Sequence, residues 1–136
     1  MEFRVIDHTA DLGIEVRAKT LEELFEGAAY GMMSLIVDPH SVEGNIKKEV
    51  IVDAEDLEGL MFTWLNELIY IINVEGVLFS GFDVTLDGTK LKATLSCEKF
   101  DPKRHKIKDE IKAATYHDLS IEKKNGDWEV RVIFDV

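Results

Sequence analysis

Phe3-Arg4-Val5-Ile6-Asp7-His8-Thr9-Ala10-Asp11-Leu12-Gly13-Ile14-Glu15-Val16-Arg17-Ala18-Lys19 is the stretch that sets the fold. Its apolar run ends at Ile6. Strict alternation resumes with Ile14, Val16 and Ala18 on one face and Glu15, Arg17 and Lys19 on the other. This predicts two short strands, Phe3 to Ile6 and Gly13 to Lys19, joined by a loop that holds Asp7-His8-Thr9-Ala10-Asp11. Five loop residues then carry two carboxylates, an imidazole and a hydroxyl, held from both sides by a sheet, a placement that favours function.

Working outward, Thr20 with Glu23 three residues on forms a capping box. Leu21, Leu24, Phe25, Ala28, Ala29, Met32 and Leu35 follow at helical spacing to about Ile36, where Asp38-Pro39 stops the helix. Ile46 to Asp53 reads as a strand. Asp56 caps a second helix with a broad apolar stripe from Leu57 to Ile72, closed by Gly76. Val77 to Leu86 and Lys90 to Cys97 form a hairpin around Asp87-Gly88-Thr89. The charged run Glu98 to Lys108, containing Pro102, predicts an exposed loop. Glu110 to Tyr116 and Leu119 to Lys124 read as strands, and Asn125-Gly126 turns into a last strand, Asp127 to Val136. On that strand Trp128, Val130, Val132 and Phe134 share one face and Glu129, Arg131, Ile133 and Asp135 the other. The expected architecture is α+β: one domain over 1–136, with two helices packed on a mainly antiparallel sheet.

The 136 residues are 46% hydrophobic, enough for one core without staples. The single cysteine, Cys97, allows no intrachain disulfide, and the N-terminus lacks a signal-peptide pattern, so a cytoplasmic protein is expected. No apolar run approaches the roughly 20 residues of a membrane span, so no membrane partner is expected. A net charge of −11 disfavours unassisted binding to phosphate backbones and favours cations and basic protein surfaces. There is no P-loop, nucleophile elbow or dinucleotide glycine pattern.

Asp7 and Asp11, with a third carboxylate supplied by Asp135 and the terminal carboxylate of Val136 one residue beyond, offer oxygen donors for a hard divalent cation. The competing reading is structural, with Asp7 and Asp11 forming Asx-turns that hold the loop. His8 and His117 lack the spacing of a transition-metal site and read as ordinary hydrogen-bonding residues. Lys112 reads either as a contact for phosphate or an acidic partner, or as a solvated strand lysine. Cys97 reads as core.

Four blocks carry a resemblance. Asp7 to Gly13, the helix start Thr20-Leu21-Glu22-Glu23-Leu24-Phe25, Ile111-Lys112-Ala113-Ala114-Thr115-Tyr116-His117 and Val132-Ile133-Phe134-Asp135-Val136 together resemble the archease family, in family order over nearly the whole chain. The resemblance implies a non-catalytic accessory protein that activates the GTP-dependent RNA ligase of tRNA splicing. It would promote guanylylation of the ligase's active-site histidine and its multiple turnover, and would meet RNA only through the ligase. It also implies a metal site, described with calcium, at Asp11, Asp135 and Val136, with magnesium or manganese as alternatives. Lys112 would be a functional lysine, and Asp7 and His8 secondary members of the site. Two other classes stay open, a chaperone-like interaction module and, below it, a metal-dependent phosphoester hydrolase.

Overall fold

The computed structural model describes residues 1–8 and 11–136; for Asp7, His8 and Asp11 it is the backbone alone that is described. Strands β1 (Glu2–His8) and β2 (Asp11–Ala18) lead into helix α1 (Leu21–Ile36), and a single 3-10 turn, Pro39–Ser41, precedes β3 (Ile46–Asp53). Helix α2 (Leu57–Glu75) is followed by β4 (Val77–Asp87), β5 (Lys90–Lys99), β6 (Ala113–Ala114), β7 (Ser120–Lys124) and β8 (Asp127–Asp135).

The expected caps form. Thr20 Oγ1 accepts from the Glu23 N–H at 3.1 Å, Asp56 Oδ1 accepts from the Gly59 N–H at 2.7 Å, and Gly76 ends α2 at φ 68°. Each supplies a partner or a backbone conformation that a helix end otherwise lacks.

The expected single sheet is divided in two. Five strands run β1-β2-β8-β6, with β7 also paired to β8, and three run β3-β5-β4; every pairing is antiparallel. Helix α1 packs on β2 and β4 and so bridges the two sheets, while α2 packs on β3, β4 and β6. Trp64, Phe25, Phe79 and Phe134 are fully buried where these layers meet. The Trp64 Nε1–H donates to the Phe25 carbonyl at 3.0 Å, so the largest core side chain also has its polar atom satisfied. Cys97 is buried, and that burial pushes its thiol above the ordinary 9.0, as suits a core residue.

Two expectations need correction. Asp7, His8 and Asp11 fall inside strands rather than on a loop, because cross-strand pairing continues past the last apolar residue to His8 opposite Asp11; Thr9 and Ala10 lie outside the described residues. The strand expected over Glu110 to Tyr116 is only Ala113–Ala114. Its outer edge is occupied by α2: Asn66 Oδ1 accepts from the Ala114 N–H at 2.9 Å, and Asn66 Nδ2 donates to the Ala114 carbonyl at 3.2 Å. The charged run after β5 is the exposed loop expected, anchored to the body at one buried residue. His105 is 2% exposed, with Nδ1 accepting from the Asp101 N–H at 2.9 Å and Nε2 lying 2.9 Å from Glu98 Oε1, while Arg104 pairs with the other Glu98 oxygen. Because Nδ1 accepts, the proton facing Glu98 is assigned to Nε2.

Glu26 on α1 accepts from the Val84 N–H on β4 at 2.9 Å. Its desolvation, with repulsion from Asp83, Glu23 and Glu22, raises the carboxyl above the ordinary 4.5 even though the Val84 bond opposes the shift. A carboxyl raised in the folded state costs stability that is absent below its unfolded value and complete above its folded one. Glu26→Gln is therefore expected to stabilise the protein at pH 7, with the advantage shrinking as pH falls through the raised value toward 4.5. Denaturant midpoints of both proteins across that range check this, and an advantage that grows toward acid contradicts it.

Candidate functional site

The antiparallel pairing of β2 with β8 sets Asp11 directly opposite Asp135, Leu12 opposite Phe134 and Gly13 opposite Ile133. Opposed residues of such a pair have Cα atoms about 4.5–5.5 Å apart. Two acidic residues from opposite ends of the chain thereby become neighbours, and His8, opposite Asp11 on β1, is the next position outward. Asp135 is exposed, as is Val136 beside it.

Lys112 joins them from the other side of β8. Its backbone N–H donates to the Asp135 carbonyl at 2.9 Å, and Ala113 pairs with Asp135. The Thr115 N–H and hydroxyl both bond the Ile133 carbonyl, at 3.0 and 2.8 Å, which fixes the next turn of this segment. Asp135 is thus flanked by β2 and by the Lys112 segment. His117 follows on the turn toward β7, its N–H donating to Thr115 Oγ1 and its Nε2 3.4 Å from Asp118 Oδ2.

Two residues that the sequence reading did not single out hold this end of the sheet. A Cβ at Gly13 would lie 2.8 Å from Ile133 Cδ1 and 3.0 Å from the Val132 carbonyl oxygen, so the close approach of β2 to β8 depends on the absence of a side chain. Ile133, on the polar face of β8, is 2% exposed because it lies over this glycine. Asn66 fixes the segment bearing Lys112 through Ala114. The signal for Asn66 was available: like Asn73 seven residues on, it is an amide on one face of the second helix, a side chain able to hold a neighbouring backbone. Gly13→Ala is expected to cost about 1–3 kcal/mol and to loosen the strand pairing beside Asp11 and Asp135. Amide exchange of β2 and β8 measures this, and unaltered protection contradicts it.

Farther along the same face, Arg4 and Arg131 both pair with Glu15, and Arg17 pairs with Glu129 at 2.9 Å. The Arg131 bond above all, aided by Arg4, holds the Glu15 carboxyl below 4.5 against the opposing effect of desolvation. These charges are matched across the strands, whereas at the Asp11–Asp135 end the β2–β8 register sets two acidic residues opposite each other.

The carboxylates at that end are hard oxygen donors of the kind a divalent cation such as calcium or magnesium takes. Among the described residues no three His, Cys, Asp or Glu side chains converge on a metal position. A cation here would rest on Asp11, Asp135 and Val136.

Known proteins share this sequence and fold. The curated archease of Pyrococcus abyssi is 42% identical, covering 96% of this chain and 95% of its own. That of Methanosarcina mazei is 38% identical, covering 99% and 96%. The solution structure of Methanobacterium thermoautotrophicum protein 1598 superposes with a TM-score of 0.83 at 35% identity, covering 98% of both chains. The crystal structure of an archease, possible chaperone, from Thermotoga maritima gives 0.68 at 29% identity, covering 96% and 94%. With the Archease protein family model matching residues 3–136 as well, the chain belongs to the archease family.

Proposed function

We propose that this protein is a non-catalytic accessory factor of the cytoplasm that activates a GTP-dependent tRNA-splicing RNA ligase. It promotes guanylylation of the ligase's active-site histidine and sustains multiple turnover in exon joining and RNA repair. The observation that carries the reading is the register pair Asp11–Asp135 with Lys112 bonded to the same residue. Acidic positions at the tip of a rigid sheet suit a protein that presents a cation, or its ligands, to another protein's site.

Asp11, Asp135 and Val136 hold a divalent cation, calcium foremost, with magnesium or manganese as alternatives. Asp7 and His8 on β1 support them. The cation supplies positive charge at which a nucleotide phosphate and the histidine nucleophile are aligned. Lys112 adds a cationic group for the phosphate charge that develops in transfer. The net charge of −11 keeps RNA away from this chain itself, so RNA is reached only through the ligase.

The test is guanylylation and multiple-turnover ligation by the ligase with this protein at substoichiometric concentration, with and without chelator. Restored turnover that chelator abolishes supports the reading. A ligase indifferent to the protein overturns it. A chaperone-like module that acts through apolar surface is the second reading, favoured by Phe100 and Ile107, which are 41% and 42% exposed; it predicts rescue of the ligase's solubility without change in guanylylation.

A further inference from the structure

A pocket of about 240 Å³ opens between the C-terminal ends of α1 and α2 and the segment that follows β5. Ile69, Leu78 and Ile111 form its buried floor, while Phe100 and Ile107 are held half out of solvent contact at its mouth. The walls are fixed. The Phe100 N–H donates to the Gly76 carbonyl at 2.9 Å, the Lys108 N–H to the Ile36 carbonyl at 2.7 Å, and Asn73 Nδ2 to the Ile111 carbonyl at 3.4 Å. The buried His105–Glu98 contact anchors the same segment at its start.

Size and charge identify the occupant. The volume is below the roughly 300–1,000 Å³ of pockets for drug-sized ligands, and it suits one or two apolar side chains. Asp109 and Glu110, both exposed, stand at the rim. Ile111 in the floor directly precedes Lys112, whose N–H bonds Asp135, so pocket and acidic tip share one short segment. An enzyme that holds RNA ends needs a cationic surface around them. A partner segment with an apolar residue beside Lys or Arg therefore matches the pocket and its rim together.

We infer that this pocket is the docking anchor for the ligase, taking an apolar side chain whose basic neighbour meets Asp109 and Glu110. The inference rests on the proposed function and adds where the affinity comes from. A preformed apolar cavity ringed by charge has the form of an interface hot spot, where a few fully desolvated contacts supply most of the binding energy.

The experiment is titration of the ligase with the full chain, its Ile107→Glu variant and its Glu110→Lys variant, each first shown to unfold at the wild-type midpoint. Ile107→Glu is expected to raise Kd by about thirtyfold, and to shift the concentration giving half-maximal activation by the same factor. Glu110→Lys weakens binding several-fold at low salt, with a smaller effect at high salt. Both variants binding within twofold of a wild type that does activate overturns the inference and leaves the function standing. A wild type that neither binds nor activates overturns both. Sedimentation that shows a dimer lost in Ile107→Glu, at unchanged ligase affinity, assigns the pocket to a second copy of this chain and overturns the inference.

Discussion

Asp135→Ala and Asp11→Ala are each expected to reduce stimulation of the ligase to the rate of ligase alone, while moving the unfolding midpoint by less than about 2 °C. Asp135 is exposed, and the bond that ties it to Lys112 uses its backbone carbonyl, which alanine retains. The pairing with β2 is likewise a backbone feature. What alanine removes is a carboxylate from a site with few oxygen donors. Losing a residue that merely orients a metal ligand already costs about 10–100-fold in metal affinity, and losing a donor itself costs more. Asp135→Asn keeps one oxygen without the charge, so it should activate weakly and improve as the cation concentration is raised. Guanylylation of the ligase histidine read against calcium concentration separates these cases. Activation by both folded alanine variants at the wild-type level sinks the acidic-site account.

Trp64→Ala is expected to be the most damaging single change to the fold, at about 3–5 kcal/mol. Trp64 is fully buried, donates its indole N–H to the Phe25 carbonyl of α1, and meets Phe82 of β4 edge-on at 6.2 Å. One side chain thus holds α2 to α1 and to the three-stranded sheet. Against a total stability of about 5–15 kcal/mol, the loss should lower the midpoint by about 10–20 °C. Trp64→Phe retains an aromatic body and loses the hydrogen bond and part of the buried area, so it should cost less than half as much. Calorimetry of the two variants decides, and an alanine variant within about 1 kcal/mol of wild type rejects this view of the core.

The fold class and most of its parts were legible because their signals are local. Thr20, Asp56 and Gly76 announce helix ends within three or four residues of themselves, and Asn125-Gly126 announces its turn. The inward face of β8 was also legible, since Val130, Val132 and Phe134 are buried as the period of two requires. Ile133 breaks that pattern: its burial comes from Gly13 on another strand, which no period along β8 encodes.

The site divides in the same way. The residue types at Asp11, Lys112 and Asp135 are readable in their own short blocks. Their adjacency is not, because strand register and the choice of neighbour are settled by which faces pack together across the whole chain. The sequence by itself determined where helices begin and end, which strand faces are apolar, and that hard oxygen donors occur near both termini. Only the tertiary structure decided that the strands divide into two sheets bridged by α1, that β2 lies against β8 so that Asp11 faces Asp135, and that Lys112 donates its backbone N–H to the same residue from a segment that Asn66 holds at Ala114. The physical reason is range: caps, turns and periodicity act over a few residues, whereas β-sheet neighbours are chosen by packing complementarity between segments far apart in the chain.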